Sequence, residues 1–197
     1  GNLLIVALWE LLDDPVEGLD WVGRLLGARG RVLPMASVPL SIEADVVRDG
    51  ELTTIVGQSA VGSTASRVES IRLIPSDPPA HPQAVDAVMA ADWVVLGPGS
   101  WFSSVMPHLL VPDLAQALVT SEARICLTLN LTSETDETHG MTTVEHLRAL
   151  ARHAPDLHVD AVVADPLAVD DPDLLLAEVE QMGATLLMRQ VRRGDGT

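Results

Sequence analysis

Aromatic side chains are nearly missing. Four Trp, one Phe and no Tyr make up 3% of the 197 residues. A core must therefore be built from Leu, Val, Ile and Ala, and a hydrophobic content of 47% is ample for one. There is a single cysteine, Cys126, so no disulfide forms within the chain. It lies in the apolar run ARICLTL, which reads as a buried strand. Basic residues are scarce, 12 against 28 acidic, for a net charge of −16. A field of that sign argues against nucleic acid and against anionic membrane surfaces as partners. An anionic ligand would have to be met by backbone dipoles and a few arginines. No apolar run is long enough to span a bilayer, and no leader pattern is visible. A cytoplasmic location is the default expectation.

The most informative stretch that is present runs from Trp93 to Val111, WVVLGPGSWFSSVMPHLLV. Trp93 to Leu96 reads as a short central parallel strand buried on both faces. Gly97, Pro98 and Gly99 break it. Ser100 to Ser104 bring hydroxyls and amides to the start of a helix, with Ser104 as N-cap and Pro107 in the first turn. A glycine loop at the C-terminal end of a parallel strand, feeding a helix, is a general anion site. A tight, well-capped turn fits the same residues, because Gly-Pro-Gly-Ser is neither a Walker nor a dinucleotide fingerprint.

In chain order, Gly1–Leu12 reads as an apolar helix with Asn2 as a possible cap. A domain rarely begins on such a helix, so further residues are expected ahead of Gly1. Pro15 opens a second helix, with Val16, Leu19, Val22, Leu25 and Leu26 on one face. A largely antiparallel β-rich lobe is expected over about 31–75. It has strands at Arg31–Met35, Ser41–Val47, Leu52–Val56 and Arg67–Ile74, a hairpin turn at Asp49-Gly50, and a mobile loop over Gly57–Ser66. From residue 82 to 190 helices and strands alternate. Helices are expected at 82–91, 112–121, from the capping box at Thr142 to His153, and from Asp171 to about Met182. Strands are expected at 124–129, 158–164 and 184–188. The reading is one α/β domain spanning residues 1–197, Rossmann-like and three-layered α/β/α, with a mostly parallel sheet and the small β-rich lobe.

Several ordered motifs also carry a resemblance: LGPGS-x-x-SS-x-x-P-x-LLVPDL from Leu96 to Leu114, N-x-x-S-x-x-x-ET from Asn130 to Thr138, and EHLRAL from Glu145 to Leu150. With the opening GNLLI and RGRVLPM, they resemble the YvcK/CofD-like family. Within it the gluconeogenesis factor branch is closer than the 2-phospho-L-lactate transferase branch. The resemblance covers Gly1 to about Asp165. It implies a UDP-sugar-binding regulatory protein, with UDP-N-acetylglucosamine as ligand, linked to cell-wall growth and cell shape. It also implies a homo-oligomer, and no reaction is firmly attached to that branch. The alternative is a metal-dependent transferase like the other branch. No cofactor is firmly implied; Mg²⁺ is the one candidate.

The implied ligand-binding residues are Asn2, Gly97, Gly99, Ser100, Phe102, Ser103, Ser104, Asn130, Glu137 and Thr138. The family's N-terminal glycine-rich loop has no counterpart in this chain, Phe102 stands where Tyr is usual, and Asp136 stands where Gly is usual. Asp136 and Glu137 offer carboxylates for a divalent cation, against the plainer reading of a solvated acidic loop. His139 and His146 have no third partner at a zinc spacing, and His146 is read as packing locally. No Ser-His-Asp arrangement is arguable, and the run Asp165–Asp173 reads as a solvated loop and helix start.

Overall fold

A computed structural model describes residues 2–48, 50–131, 136–138 and 140–191, with the side chains of Asn2 and Asp136 outside that description. The chain opens on a helical hairpin, α1 (Asn2–Leu12) and α2 (Pro15–Leu26). Asp14 caps α2, its Oδ1 accepting from the amides of Val16 at 2.8 Å and Glu17 at 3.1 Å. Gly27 closes α2 in the left-handed conformation, φ 64°. The two helices cross closely because Gly18 has no side chain: a Cβ there would lie 2.6 Å from Cδ1 of Trp9.

The β-rich lobe holds three antiparallel strands, β1 (Ser41–Arg48), β2 (Glu51–Val56) and β3 (Arg67–Ile74), in the order β2-β1-β3. Alternation sorts its two faces. Ile42, Ala44, Val46, Val68, Ile71 and Leu73 are buried, while Arg72 on the other face pairs with Glu43 and Asp45. Asp49 of the expected hairpin turn lies outside the described residues; the pairing on either side of it ends with Arg48 opposite Glu51. Two expectations are corrected here. Arg31–Met35 is irregular rather than a strand, since Pro34 has no amide to give a ladder; Ala36 alone bridges, to Ala80. The stretch 57–66 is not simply a loop, for it contains α3 (Gln58–Gly62), anchored by the fully buried Val61.

The rest alternates as expected: α4 (Pro82–Met89), β4 (Trp93–Leu96), α5 (Met106–Leu109), α6 (Pro112–Thr120), β5 (Arg124–Thr128), α7 (Thr143–His153), β6 (Ala161–Ala164), α8 (Pro172–Gln181) and β7 (Thr185–Met188). The four strands form a fully parallel sheet ordered β4-β5-β6-β7 and flanked by helices. The chain is thus α/β and Rossmann-like, with a separate small antiparallel sheet. The Thr142/Glu145 capping box and the Asp171 cap both form. The Asp165–Asp173 run is more than a solvated loop. Asp165 is 2% exposed and accepts the amides of Leu167 and Val191, and Asp170 accepts the Thr143 amide.

The core gathers on one side of the sheet. Leu96, Ile125, Leu127, Val162 and Ala164 belong to one cluster with Leu114, Leu118, Leu147, Leu175 and Val179. β4 is an edge strand rather than a central one. Leu96 is buried, but Trp93 and Val95, on the opposite side, are 50% and 58% exposed. An apolar run of four residues does not by itself distinguish a central strand from an edge strand.

Leu127 is fully buried in mid-sheet. Leu127→Ala is expected to lower stability by about 2–5 kcal/mol in urea denaturation.

Candidate functional site

Two strand ends meet at the site, those of β4 and β5. Gly97 follows β4 with φ 78°, and a Cβ built on it would lie 2.7 Å from the carbonyl oxygen of Thr128 on β5. Only glycine fits both the backbone and the space. The Gly97–Pro98 peptide is cis. Gly99 is held by Asn130, just past β5. Asn130 Oδ1 accepts the Gly99 amide at 2.9 Å and Nδ2 donates to the Gly99 carbonyl at 2.9 Å. One side-chain amide thus pairs with both backbone groups of one residue, as a neighbouring strand would.

The helix begins earlier than expected. Ser100, not Ser104, occupies the N-cap position, its carbonyl accepting from Ser104 at 2.9 Å and Val105 at 3.0 Å. Trp101–Val105 forms a wide π turn that runs directly into α5. Pro107 accounts for the widening, since its ring would collide with the carbonyl four residues back in a regular α-helix.

Glu137 sits at the start of this helix. It is 1% exposed, and its Oε1 accepts the Phe102 amide at 2.9 Å, while Oε2 is buried without a hydrogen-bond partner. Burial pushes its pKa up; the nearby Ser103 hydroxyl and the amides of Phe102, Ser103 and Trp101 oppose that rise. The helix N-terminus therefore already holds a carboxylate of the chain itself.

The remaining candidates divide between the interior and the surface. Phe102 is 1% exposed and packs edge-on to His153, ring centroids 6.4 Å apart, so its ring is core and offers no face to a ligand. Thr138 is likewise buried. Ser103 points at α3, where a Cβ on Gly62 would lie 3.3 Å from its Oγ. Gly97, Pro98 and the exposed Ser104 instead line an open groove of about 330 Å³ between β4, α4 and α6. His108 also lines it, its Nδ1 donating to the Ser104 carbonyl at 2.8 Å.

Asn2 lies at the start of α1, its side chain outside the description. Ser133, Glu134, Thr135 and His139 also fall outside it. Among the described residues no group of three His, Cys, Asp or Glu is placed to hold a metal ion. His146 is 5% exposed, hydrogen-bonded to the Thr142 carbonyl and T-stacked on Trp101 at 5.3 Å; burial lowers its pKa.

The model of the family described as 2-phospho-L-lactate transferase CofD matches residues 1–186. This chain belongs to the CofD family. It is 49% identical over 199 residues to a Mycobacterium tuberculosis protein named as a putative gluconeogenesis factor, covering 99% of this chain and 58% of that one. It is 30% identical to the gluconeogenesis factor of Halalkalibacterium halodurans, covering 87% of this chain and 52% of the relative. A crystal structure of a UPF0052 family member from Bacillus halodurans superposes with a TM-score of 0.85 at 25% identity, covering all of this chain and 67% of the other. The chain spans little more than half the length of these curated relatives.

Two variants probe the clamp. Gly97→Ala is expected to cost at least about 1–2 kcal/mol from the left-handed backbone alone, with the Thr128 contact adding to it. Glu137→Gln keeps the acceptor for Phe102 and removes the buried charge. Because the folded pKa of Glu137 is raised, its favourable contribution is full below the unfolded value, about 4.3, and is lost as pH rises through the folded value. Thermal unfolding across pH should show the Glu137→Gln variant gaining on the parent as pH rises through that window, with the difference between them constant above it.

Proposed function

We propose that this chain is the ligand-holding part of a UDP-sugar-binding regulatory protein of the gluconeogenesis factor type, cytoplasmic and linked to cell-wall growth and cell shape. The observation that carries the reading is the clamped Gly97–Gly99 turn, set beside an apolar groove at the C-terminal end of a parallel strand. Ligands of open α/β sheets bind in that position. Groove walls from Val88, Val95 and Leu118 suit the flat face of a base or sugar.

The diphosphate is assigned to the open lip formed by Gly97, Gly99, Ser100 and Ser104, not to the helix N-terminus that Glu137 fills. Asn130 and Glu137 act as positioning residues that hold the lip from behind. Asn2 and Thr138 stay in the proposal through the resemblance alone, and Phe102 supports the helix from within.

The family model's own description favours a second reading, a transferase acting on a related phosphorylated metabolite with Mg²⁺. Calorimetric titration with UDP-N-acetylglucosamine, with and without Mg²⁺, separates the two when the mixture is also checked for product. Saturable binding without turnover is expected; Mg²⁺-dependent turnover would establish the transferase. Ser104 is exposed, so Ser104→Asp should leave folding intact and weaken binding by roughly tenfold or more, the work of one misplaced charge. Unchanged affinity would remove this lip from the site.

A further inference from the structure

A second groove lies where α2 gives way to the irregular segment ahead of β1. It measures about 280 Å³, and its polar lining is Asp20, Arg24, Arg29 and Arg31. Three of the chain's 12 basic residues thus surround one concavity in a molecule of net charge −16. Asp20 is the one acid of the lining, and it is engaged: its two oxygens accept from Nε of Arg31 at 3.0 Å and from Nη2 at 2.8 Å. Nη2 also donates to Gln83 Oε1 on α4 at 3.1 Å. Arg31 is thereby fixed, with both N–H groups of Nη1 left to donate. Arg24 lies over the Trp21 ring, 5.2 Å from its centroid, and a stacked guanidinium keeps its in-plane donors available. Neither Arg24 nor Arg29 forms a salt bridge among the described residues.

The glycines of this stretch add an independent observation. Gly18 and Gly27 are required by the fold, the first by Trp9 and the second by its left-handed backbone. Gly23 and Gly30 are not. Neither has a positive φ. A Cβ on Gly23 would meet only the Ala28 methyl, at an ordinary 3.9 Å, and a Cβ on Gly30 would meet nothing within 4 Å. Gly23 even sits inside α2, where glycine weakens a helix relative to alanine. Local rules broken without structural need are expected at functional sites. Both glycines line this groove, where a missing side chain leaves room beside the guanidinium groups. It also leaves access to the amides of Arg29, Gly30 and Arg31, which have no acceptor among the described residues. Successive unengaged amides beside arginines make an anion cradle. The carbonyls of Gly23 and Arg24, which would repel an anion at this helix end, accept from Ala28 at 2.9 Å and Gly27 at 3.2 Å.

We propose that this groove is a second anion site, which takes the phosphate group of a small phosphorylated metabolite. The phosphate oxygens meet Arg24, Arg29 and Nη1 of Arg31 together with the loop amides. Leu19 and Val32 give the rest of the molecule an apolar wall. The groove shares no lining residue with the one beside Gly97, so the assignment holds whichever ligand the lip takes.

The test titrates the 197-residue chain with inorganic phosphate and with pyrophosphate, at about 0.15 M salt, and follows backbone amide shifts by NMR. Saturable shifts are expected at Arg29, Gly30 and Arg31. Arg29→Ala removes an exposed side chain, and Gly30→Val fills open space. Both should keep the parent's melting temperature and weaken binding roughly tenfold or more, the worth of one charge-assisted hydrogen bond. Ser104→Asp should leave the shifts as they are, which separates this site from the lip. Three results would overturn the proposal: shifts that grow without saturating, the mark of loosely held counterions only; affinity in either groove variant equal to the parent's; or loss of the response in Ser104→Asp, which would put the phosphate at the lip. Should Gly30→Val lower the melting temperature, that glycine serves the fold, and Arg29→Ala decides alone.

Discussion

The arrangement of the site depends on two side chains that follow β5 and hold the turn that follows β4. Asn130 takes both polar groups of Gly99, and Glu137 takes the amide of Phe102. A short glycine turn on an edge strand would otherwise fluctuate, because glycine has the most backbone freedom to lose. The clamp fixes the turn against Thr128, starts the helix at Trp101, and so places Ser104 and His108 on the groove while Trp101 and Phe102 go inward. Strand, turn and helix thus share one set of constraints.

The clamp has an electrostatic consequence. In a chain of net charge −16, the expected use of a helix N-terminus is to attract an anion from solution. Here an internal carboxylate does so, at the cost of burying one oxygen without a partner. The helix dipole stabilises the fold of the loop after β5, and it no longer offers an empty slot to a phosphate. The proposed function accordingly places ligand recognition outward, at the lip and groove, where desolvation is lighter and the apolar walls of β4, α4 and α6 are available.

Much of this is legible from residues alone. The strand-helix alternation from residue 82 onward, the caps at Asp14, Thr142 and Asp171, and the hairpin register all follow from local chemistry, and local chemistry is what a sequence displays. What escapes depends on distant partners. β4 reads as central because its four apolar residues carry no mark of which neighbour is missing. Ser104 reads as the N-cap because nothing local shows that Glu137, 35 residues from Phe102, caps the helix from across the sheet edge. Phe102 reads as ligand-binding by resemblance alone, because nothing local shows that its ring packs edge-on to His153 on α7. Asn130, at a strand end opposite a glycine turn, is the one visible hint of the clamp.

The most direct measurement is amide hydrogen exchange, read residue by residue by NMR in the unliganded chain. The account predicts that Gly99 and Phe102 are protected well beyond the exposed amides of the same loop, with protection approaching that of β5. Exchange of both amides at the rate of a free loop would contradict it, because the turn would then be unheld and the groove would have no fixed lip.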